Sequence, residues 1–188
     1  ENPERINLSS VVIGVDYVVI LNTNAGLWGY NLGDTVKFVS INPYRIIVSG
    51  RLKHFTSAFG EHVITQEVEE SMKNTISVIP AEIKEFHVAP NINPENGLPS
   101  HQWFIEFSKE PKNISLFEKT LDSELQEKNS YYKDLINGAI LKQLEIIKIK
   151  KSGFNDYMLS IDKLGGQNKT PRLSNDRSIA DKLILYKK

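Results

Sequence analysis

The apolar positions of this chain change their period near residue 50. Before it they come as short β-type runs: Tyr17–Leu21, then Thr35–Ser40 with alternating Val36 and Phe38, then Arg45–Val48. Asn24–Gly26 and Leu32–Asp34 supply turn residues between them. So few short strands close no core, so this stretch is predicted as one end of a larger β subdomain with exposed edges. Past Ser49-Gly50-Arg51 the period lengthens. Thr65 is the predicted N-cap of a helix carrying Val68, Met72 and Ile76 on one face. Two strands follow, Ile83–Val88 and Gln102–Phe107, across a loop punctuated by Pro90, Pro94 and Pro99. Ser115 and Glu118 form a capping box for a helix whose apolar face holds Leu121 and Leu125. Tyr131–Leu141 reads as a helix, Leu144–Lys150 as a strand and Asp156–Leu164 as a helix stopped by Gly165-Gly166. A last helix starts at about Asp176. This order predicts a compact α+β domain with its middle strands antiparallel. The predicted division is 1–48, completing a larger β subdomain, and 49–188, the α+β domain.

Composition narrows the function classes. With 40% hydrophobic residues, eight Phe and two Trp in 188 residues, the chain has enough apolar surface to offset folding entropy. Its 23 basic and 23 acidic residues cancel, and the absence of a basic excess argues against nucleic acid as a partner. The lack of cysteine excludes disulfides, thiolate zinc sites and a Cys nucleophile. The most apolar runs are strand-length, so no membrane partner is expected. The opening Glu1-Asn2-Pro3 carries no signal-peptide pattern, and a cytoplasmic location is expected.

Three clusters carry possible chemistry, each with an ordinary alternative. Tyr30-Asn31-Leu32-Gly33-Asp34 reads as a common Gly-Asp turn, or as a rigid carboxylate that accepts both hydroxyls of a ribose. Gly50-Arg51-Leu52-Lys53, followed by Ser57–Glu61 and Glu67, reads as a surface hairpin, or as an arginine at a domain junction reaching ribose or phosphate oxygens. Lys169, within Gly165–Arg172, reads as a solvated lysine, or as a cation delivered by a glycine-containing loop; no Gly-x-x-x-x-Gly-Lys-Ser/Thr phosphate loop occurs. His54, His62, His87 and His101 have no metal-ligand spacing, so no metal site is expected. The lysines of Lys148–Lys151 read as protection of an open strand edge.

Taken together, the clusters resemble a known family. Asn24-Ala25-Gly26-Leu27-Trp28-Gly29-Tyr30-Asn31-Leu32-Gly33-Asp34 resembles the Ala-Gly-Leu-aromatic-x-Tyr-x-x-Gly-Asp block of the Gretchen-Hagen-three, or auxin-responsive promoter, family of acyl-acid–amido synthetases. The 50–67 stretch resembles that family's hinge and hairpin, and Gln167-Asn168-Lys169-Thr170-Pro171-Arg172 its Gln-x-Lys-x-Pro-Arg tail. The resemblance implies the C-terminal portion of an adenylate-forming ligase that uses ATP with Mg2+, a carboxylic acid and an amine. A large N-terminal domain would hold the phosphate loop and the acid pocket, and the chain alone would be inactive. Asp34 would bind the ribose, with Tyr30 in the same nucleotide-binding block. Arg51 would sit at the hinge of a mobile cap, and Lys169 would be the catalytic lysine of the tail. Asn31 replaces the basic residue of plant members, and Phe59-Gly60-Glu61-His62 is similar to a bacterial branch. A thioester-forming coenzyme A ligase and a non-catalytic module that kept the fold are the alternatives.

Overall fold

In the computed structural model of the protein, residues 4–51, 55–163, 165 and 168–188 are described. The chain divides into two units, Glu1–Lys53 and His54–Lys188. The first is an antiparallel meander of β1 (Asp16–Leu21), β2 (Tyr30–Ile41) and β3 (Tyr44–Arg51). The alternation of Val36 and Phe38 buries these two side chains, and Phe38 meets Tyr17 and Tyr44 edge-on at 6.0 Å each. Two strands are longer than predicted. β3 runs through Ser49, Gly50 and Arg51, and β2 takes in Leu32–Asp34, which the sequence marks as a turn. The reason is a bulge: Gly33 adopts φ +79°, a conformation that serves a bulge as readily as a turn.

The second unit contains a short hairpin, β4 (Phe55–Thr56) with β5 (Val63–Ile64), followed by α1 (Thr65–Val78), β6 (Glu82–Asn91) and β7 (Ser100–Lys109). Then come α2 (Ile114–Lys128), α3 (Ser130–Asn137), β8 (Glu145–Ile149), α4 (Gly153–Ser160) and α5 (Ala180–Leu183). The fold class is α+β, as the pattern predicts. β6 and β7 pair antiparallel, while β8 pairs parallel to β7, so α2 and α3 form the crossover that a parallel pair requires. Strand alternation sends side chains to two cores. Phe86, Val88, Trp103 and Ile105 pack with Val68 and Met72 of α1, Leu121 and Leu125 of α2, and Tyr132 of α3. Ala89, Phe104, Ile147 and Ile149 pack on the other face with Phe154 and Tyr157 of α4 and Leu183 of α5. Each fully buried Leu or Phe contributes about 1.5–3 kcal/mol, and β7 is covered on both faces.

Helix ends differ from the sequence expectations in instructive ways. Ile64, not Thr65, occupies the N-cap position of α1, and its backbone N–H donates to Glu67 Oε2 at 3.0 Å. Asn113, not Ser115, caps α2: its Oδ1 accepts from the Leu116 N–H at 3.0 Å. Glu118 is drawn away from that end by the Ile146 N–H, 3.2 Å from its Oε2. α3 ends at Asn137, short of Leu141. α4 starts at Gly153, where the buried Glu106 carboxylate accepts from the Ser152 and Phe154 N–H groups at 2.8 and 3.2 Å. α5 starts at Ala180 because Asp176 turns back to accept the Ser178 N–H at 2.8 Å. Leu164, Gly166 and Gln167, part of the expected helix stop and tail, lie outside the described residues, as do Leu52, Lys53 and His54.

The C-terminal tail covers both edges of the β6-β7-β8 sheet. The Val88 N–H donates to the Arg172 carbonyl at 2.8 Å, and the Ser174 N–H to that of Val88 at 3.0 Å. At the far edge the Lys150 N–H donates to the Tyr186 carbonyl at 2.9 Å, and the Lys188 N–H to that of Lys148 at 2.9 Å. The lysines of 148–151 therefore flank a paired edge, not an open one, and Lys148 bonds Glu110 at 3.0 Å.

Candidate functional site

In the first unit the candidate residues gather where β2 bulges. The β1–β2 register passes from Val18↔Thr35 to Ile20↔Asn31, so Leu32, Gly33 and Asp34 together face the single residue Val19. Asn31 Oδ1 accepts the Gly33 N–H at 2.8 Å and holds the bulge in shape. On the other side β2 pairs with β3, with Asp34 opposite Arg51 and Thr35 opposite Gly50, before the register shifts between Thr35 and Val36. The Ser49 hydroxyl donates to Thr35 Oγ1 at 3.2 Å, and a Cβ on Gly50 would also lie 3.2 Å from that oxygen. Tyr30 opens β2 opposite Leu21, half-exposed, after a loop in which Asn22 Oδ1 accepts the Gly29 N–H at 2.7 Å. Tyr30, Asp34 and Arg51 thus lie on adjacent strands of one sheet end. A half-buried carboxylate on a bulge is rigid and accepts hydrogen bonds only, which suits a pair of neighbouring hydroxyls.

In the second unit Lys169 is exposed, and the chain after it is pinned at almost every residue. Thr170 is buried, and the Pro171 carbonyl accepts from His87 Nδ1 at 2.7 Å. Arg172 pairs with Glu85 and stacks over the Phe86 ring at 4.5 Å, and Leu173 is fully buried. The Thr56 hydroxyl donates to the Ser174 carbonyl at 2.5 Å, and the Ser57 N–H to Asn175 Oδ1 at 2.8 Å. Arg177 then donates to the Pro90 carbonyl at 3.0 Å and to Gln102 Oε1 at 2.9 Å. His87 has no exposed surface. Burial pushes its pKa down to about 4, against the Pro171 hydrogen bond and the charge of Asp176. It is therefore a neutral ring at physiological pH, and because a carbonyl cannot donate, the proton sits on Nδ1.

A second buried histidine also escapes sequence reasoning. His101 Nε2 lies 2.8 Å from Glu61 Oε1, with both side chains fully buried. The His101 ring stacks on Tyr132 at 5.1 Å and lies 6.4 Å from Phe59. Glu61 Oε2 also accepts the Phe59 N–H at 2.8 Å. Burial alone would raise the Glu61 pKa. The hydrogen bond and charge of His101, with the backbone N–H groups of Glu61 and Phe59, outweigh it and hold the carboxyl below its usual range. The pair fixes the turn in which Gly60 and His62 take φ +93° and +47°. His87 and His101 find partners 84 and 40 residues away, so no local spacing announces them. Among the described residues no group of three or more His, Asp or Glu is placed to hold a metal, and no helix is long and apolar enough to cross a membrane.

This architecture, a bulged sheet end followed by an α+β domain wrapped by its own tail, matches known proteins. Residues 63–178 match the GH3 family C-terminal domain, and residues 1–51 match the GH3 family central domain. The chain belongs to the GH3 family, the one its motifs resemble. Among solved structures it is similar to a GH3.15 acyl acid amido synthetase at 20% identity and a TM-score of 0.74, over 97% of this chain and 36% of that one. It is likewise similar to AtGH3.15 acyl acid amido synthetase in complex with 2,4-DB, at 20% identity and a TM-score of 0.72, over 97% of this chain and 34% of that one. At this identity the likeness establishes the fold. The chain spans about a third of the length of these proteins. No curated protein matches it.

Proposed function

We propose that this chain is the C-terminal part of an ATP-dependent ligase that joins a carboxylic acid to an amine, commonly an amino acid, through an acyl-adenylate. In the first half-reaction a carboxylate oxygen attacks the α-phosphorus of ATP and pyrophosphate leaves; Mg2+ would neutralise charge on the phosphates. In the second the amine nitrogen attacks the acyl carbon, AMP leaves, and the nitrogen loses a proton. Asp34 accepts the two ribose hydroxyls, with Tyr30 beside the nucleotide. Arg51 supplies donors to ribose or phosphate oxygens. Lys169 neutralises charge that builds on the phosphoryl oxygens as the carboxylate attacks. The observation that best supports this reading is the β2–β3 register that sets Asp34 across the ladder from Arg51.

A larger N-terminal domain supplies the phosphate loop and the acid pocket. Residues 1–48 complete that domain, and residues 49–188 form a cap that pivots at Ser49–Arg51 between the half-reactions. The apolar surface that β2 and β3 expose at Val39, Ile46, Ile47 and Val48 fits a sheet that finishes a larger body. Consumption of ATP by the whole ligase fits a cytoplasmic location. The test is ATP–pyrophosphate exchange by the full-length protein across a panel of carboxylic acids, followed by product analysis with amino acids and with coenzyme A. Acid-dependent exchange with amide product is expected. Thioester product would move the protein to the coenzyme A ligases, and no exchange with any acid would remove the ligase assignment.

A further inference from the structure

We propose that His87 is a positioning residue for Lys169, holding the tail so that the lysine moves with the junction hairpin as one body. The inference rests on the reading of Lys169 as the cation of adenylation. The hydrogen bond from His87 Nδ1 to the Pro171 carbonyl fixes the backbone two residues beyond Lys169. Two residues reach at most about 7 Å, so the Cα of Lys169 stays within that distance of a fixed point. The anchoring continues along the outer edge of β6, through the Val88–Arg172 and Ser174–Val88 hydrogen bonds. Thr56 and Ser57, just past the proposed pivot, bond Ser174 and Asn175. The tail is therefore tied directly to the hairpin through which the cap would be turned.

The choice of histidine is itself informative. Among the described residues its buried Nε2 has no hydrogen-bond partner, and the one bond the ring makes there is to the tail. An apolar side chain of similar volume would fill the same space and leave no orphaned ring nitrogen. Histidine at this place costs the fold an unpaired polar atom, and what it supplies in return is a rigid donor for the residue pair that follows Lys169. Displacing a reacting group by about 1 Å can cost roughly a hundredfold in rate, so a loosened anchor is expected to show in adenylation.

The experiment compares wild type, His87→Leu, His87→Asn and Lys169→Ala in the full-length protein. Three quantities are measured: acid-dependent pyrophosphate exchange, acyl transfer from a synthetic acyl-adenylate, and native-state tryptic cleavage at Lys169–Thr170 mapped by mass spectrometry. His87→Leu is expected to lower exchange tenfold or more, leave transfer within about twofold, and speed cleavage at Lys169 about tenfold or more. His87→Asn places an amide donor near the Nδ1 position and is expected to restore most of the exchange. Wild-type exchange in His87→Leu, alongside a slow Lys169→Ala, would overturn this inference and leave the lysine's role intact. Equal loss of both half-reactions in His87→Leu would also overturn it, since a general folding defect acts on both. Normal exchange in Lys169→Ala would overturn the underlying reading and this role with it. Should His87→Leu fail to fold, Thr56→Val removes the Ser174 bond from the other side, and the same split between half-reactions is expected.

Discussion

Residues 54–188 bury Trp103, Phe104, Ile105, Leu121 and Leu125 completely, on the two faces of one sheet. In residues 1–53 the buried apolar side chains among those described are Val36 and Phe38, while Val48 is 71% exposed and Ile46 and Ile47 are exposed beside it. The same alternation rule operates in both places, so propensity does not explain the difference. In the second unit helices lie against each face of the sheet. In the first, a β-rich sequence makes hydrogen-bonded strands that have too little to bury for independent stability. Stability is thus concentrated in one unit, and the candidate nucleotide-binding residues Tyr30, Asp34 and Arg51 sit in the other.

The largest expected effect of this contrast is all or none. Residues 54–188 produced alone should unfold cooperatively in urea, whereas residues 1–53 alone should show no cooperative transition by circular dichroism. A sharp transition in the shorter segment would remove the contrast. Single substitutions extend it: Leu121→Ala should cost about 2–5 kcal/mol, because a fully buried leucine leaves a cavity. Leu185→Ala, at an 80% exposed position of the same unit, should stay within about 0.5 kcal/mol.

Acid separates the units further. His87 has a folded pKa of about 4 against the ordinary 6.5 of a solvated histidine, so between these pH values the unfolded chain takes up a proton that the folded chain refuses. Its contribution is therefore complete above about pH 6.5 and falls away as the pH drops toward 4. Asp176 is the charged group acting on the ring. At about 1.36 kcal/mol per unit the loss approaches roughly 3 kcal/mol. Below that window Glu61, whose folded pKa is depressed, adds a further loss as it protonates. Urea unfolding of residues 54–188 at pH 7 and pH 5 should show the decline, and His87→Leu should flatten it.

The expected effect on nucleotide binding falls in the first unit. Asp34→Ala in the full-length protein should weaken ATP binding roughly tenfold, about 1.4 kcal/mol, with little change in thermal stability. Unchanged affinity by calorimetry would detach Asp34 from the ribose.

Local signals were readable in the sequence where the physics is local. Val68, Met72 and Ile76 mark α1, and the strands around Phe86 and Phe104 stand where their runs predict. Errors arise where a distant group competes. Ser115 and Glu118 have the spacing of a capping box, but Asn113 caps the helix and the Ile146 N–H claims Glu118 from 28 residues away. Gly33 signals a change of direction, and sequence alone cannot separate a turn from a bulge, since both use the same positive φ. The pairing of Asp34 with Arg51 needs the β2–β3 register, and the anchoring of the Lys169 loop needs β6 to meet the tail. Neither has a period to detect.

In the proposed function this chain carries the cap of an acyl-adenylate-forming enzyme, with Lys169 as its cation. The most direct measurement takes the full-length protein with Lys169→Ala and times both half-reactions separately. Removing one preorganised charge donor should slow acid-dependent pyrophosphate exchange about a hundredfold or more, while transfer from a pre-formed acyl-adenylate proceeds largely unchanged. Exchange at the wild-type rate in the Lys169→Ala protein would contradict the account.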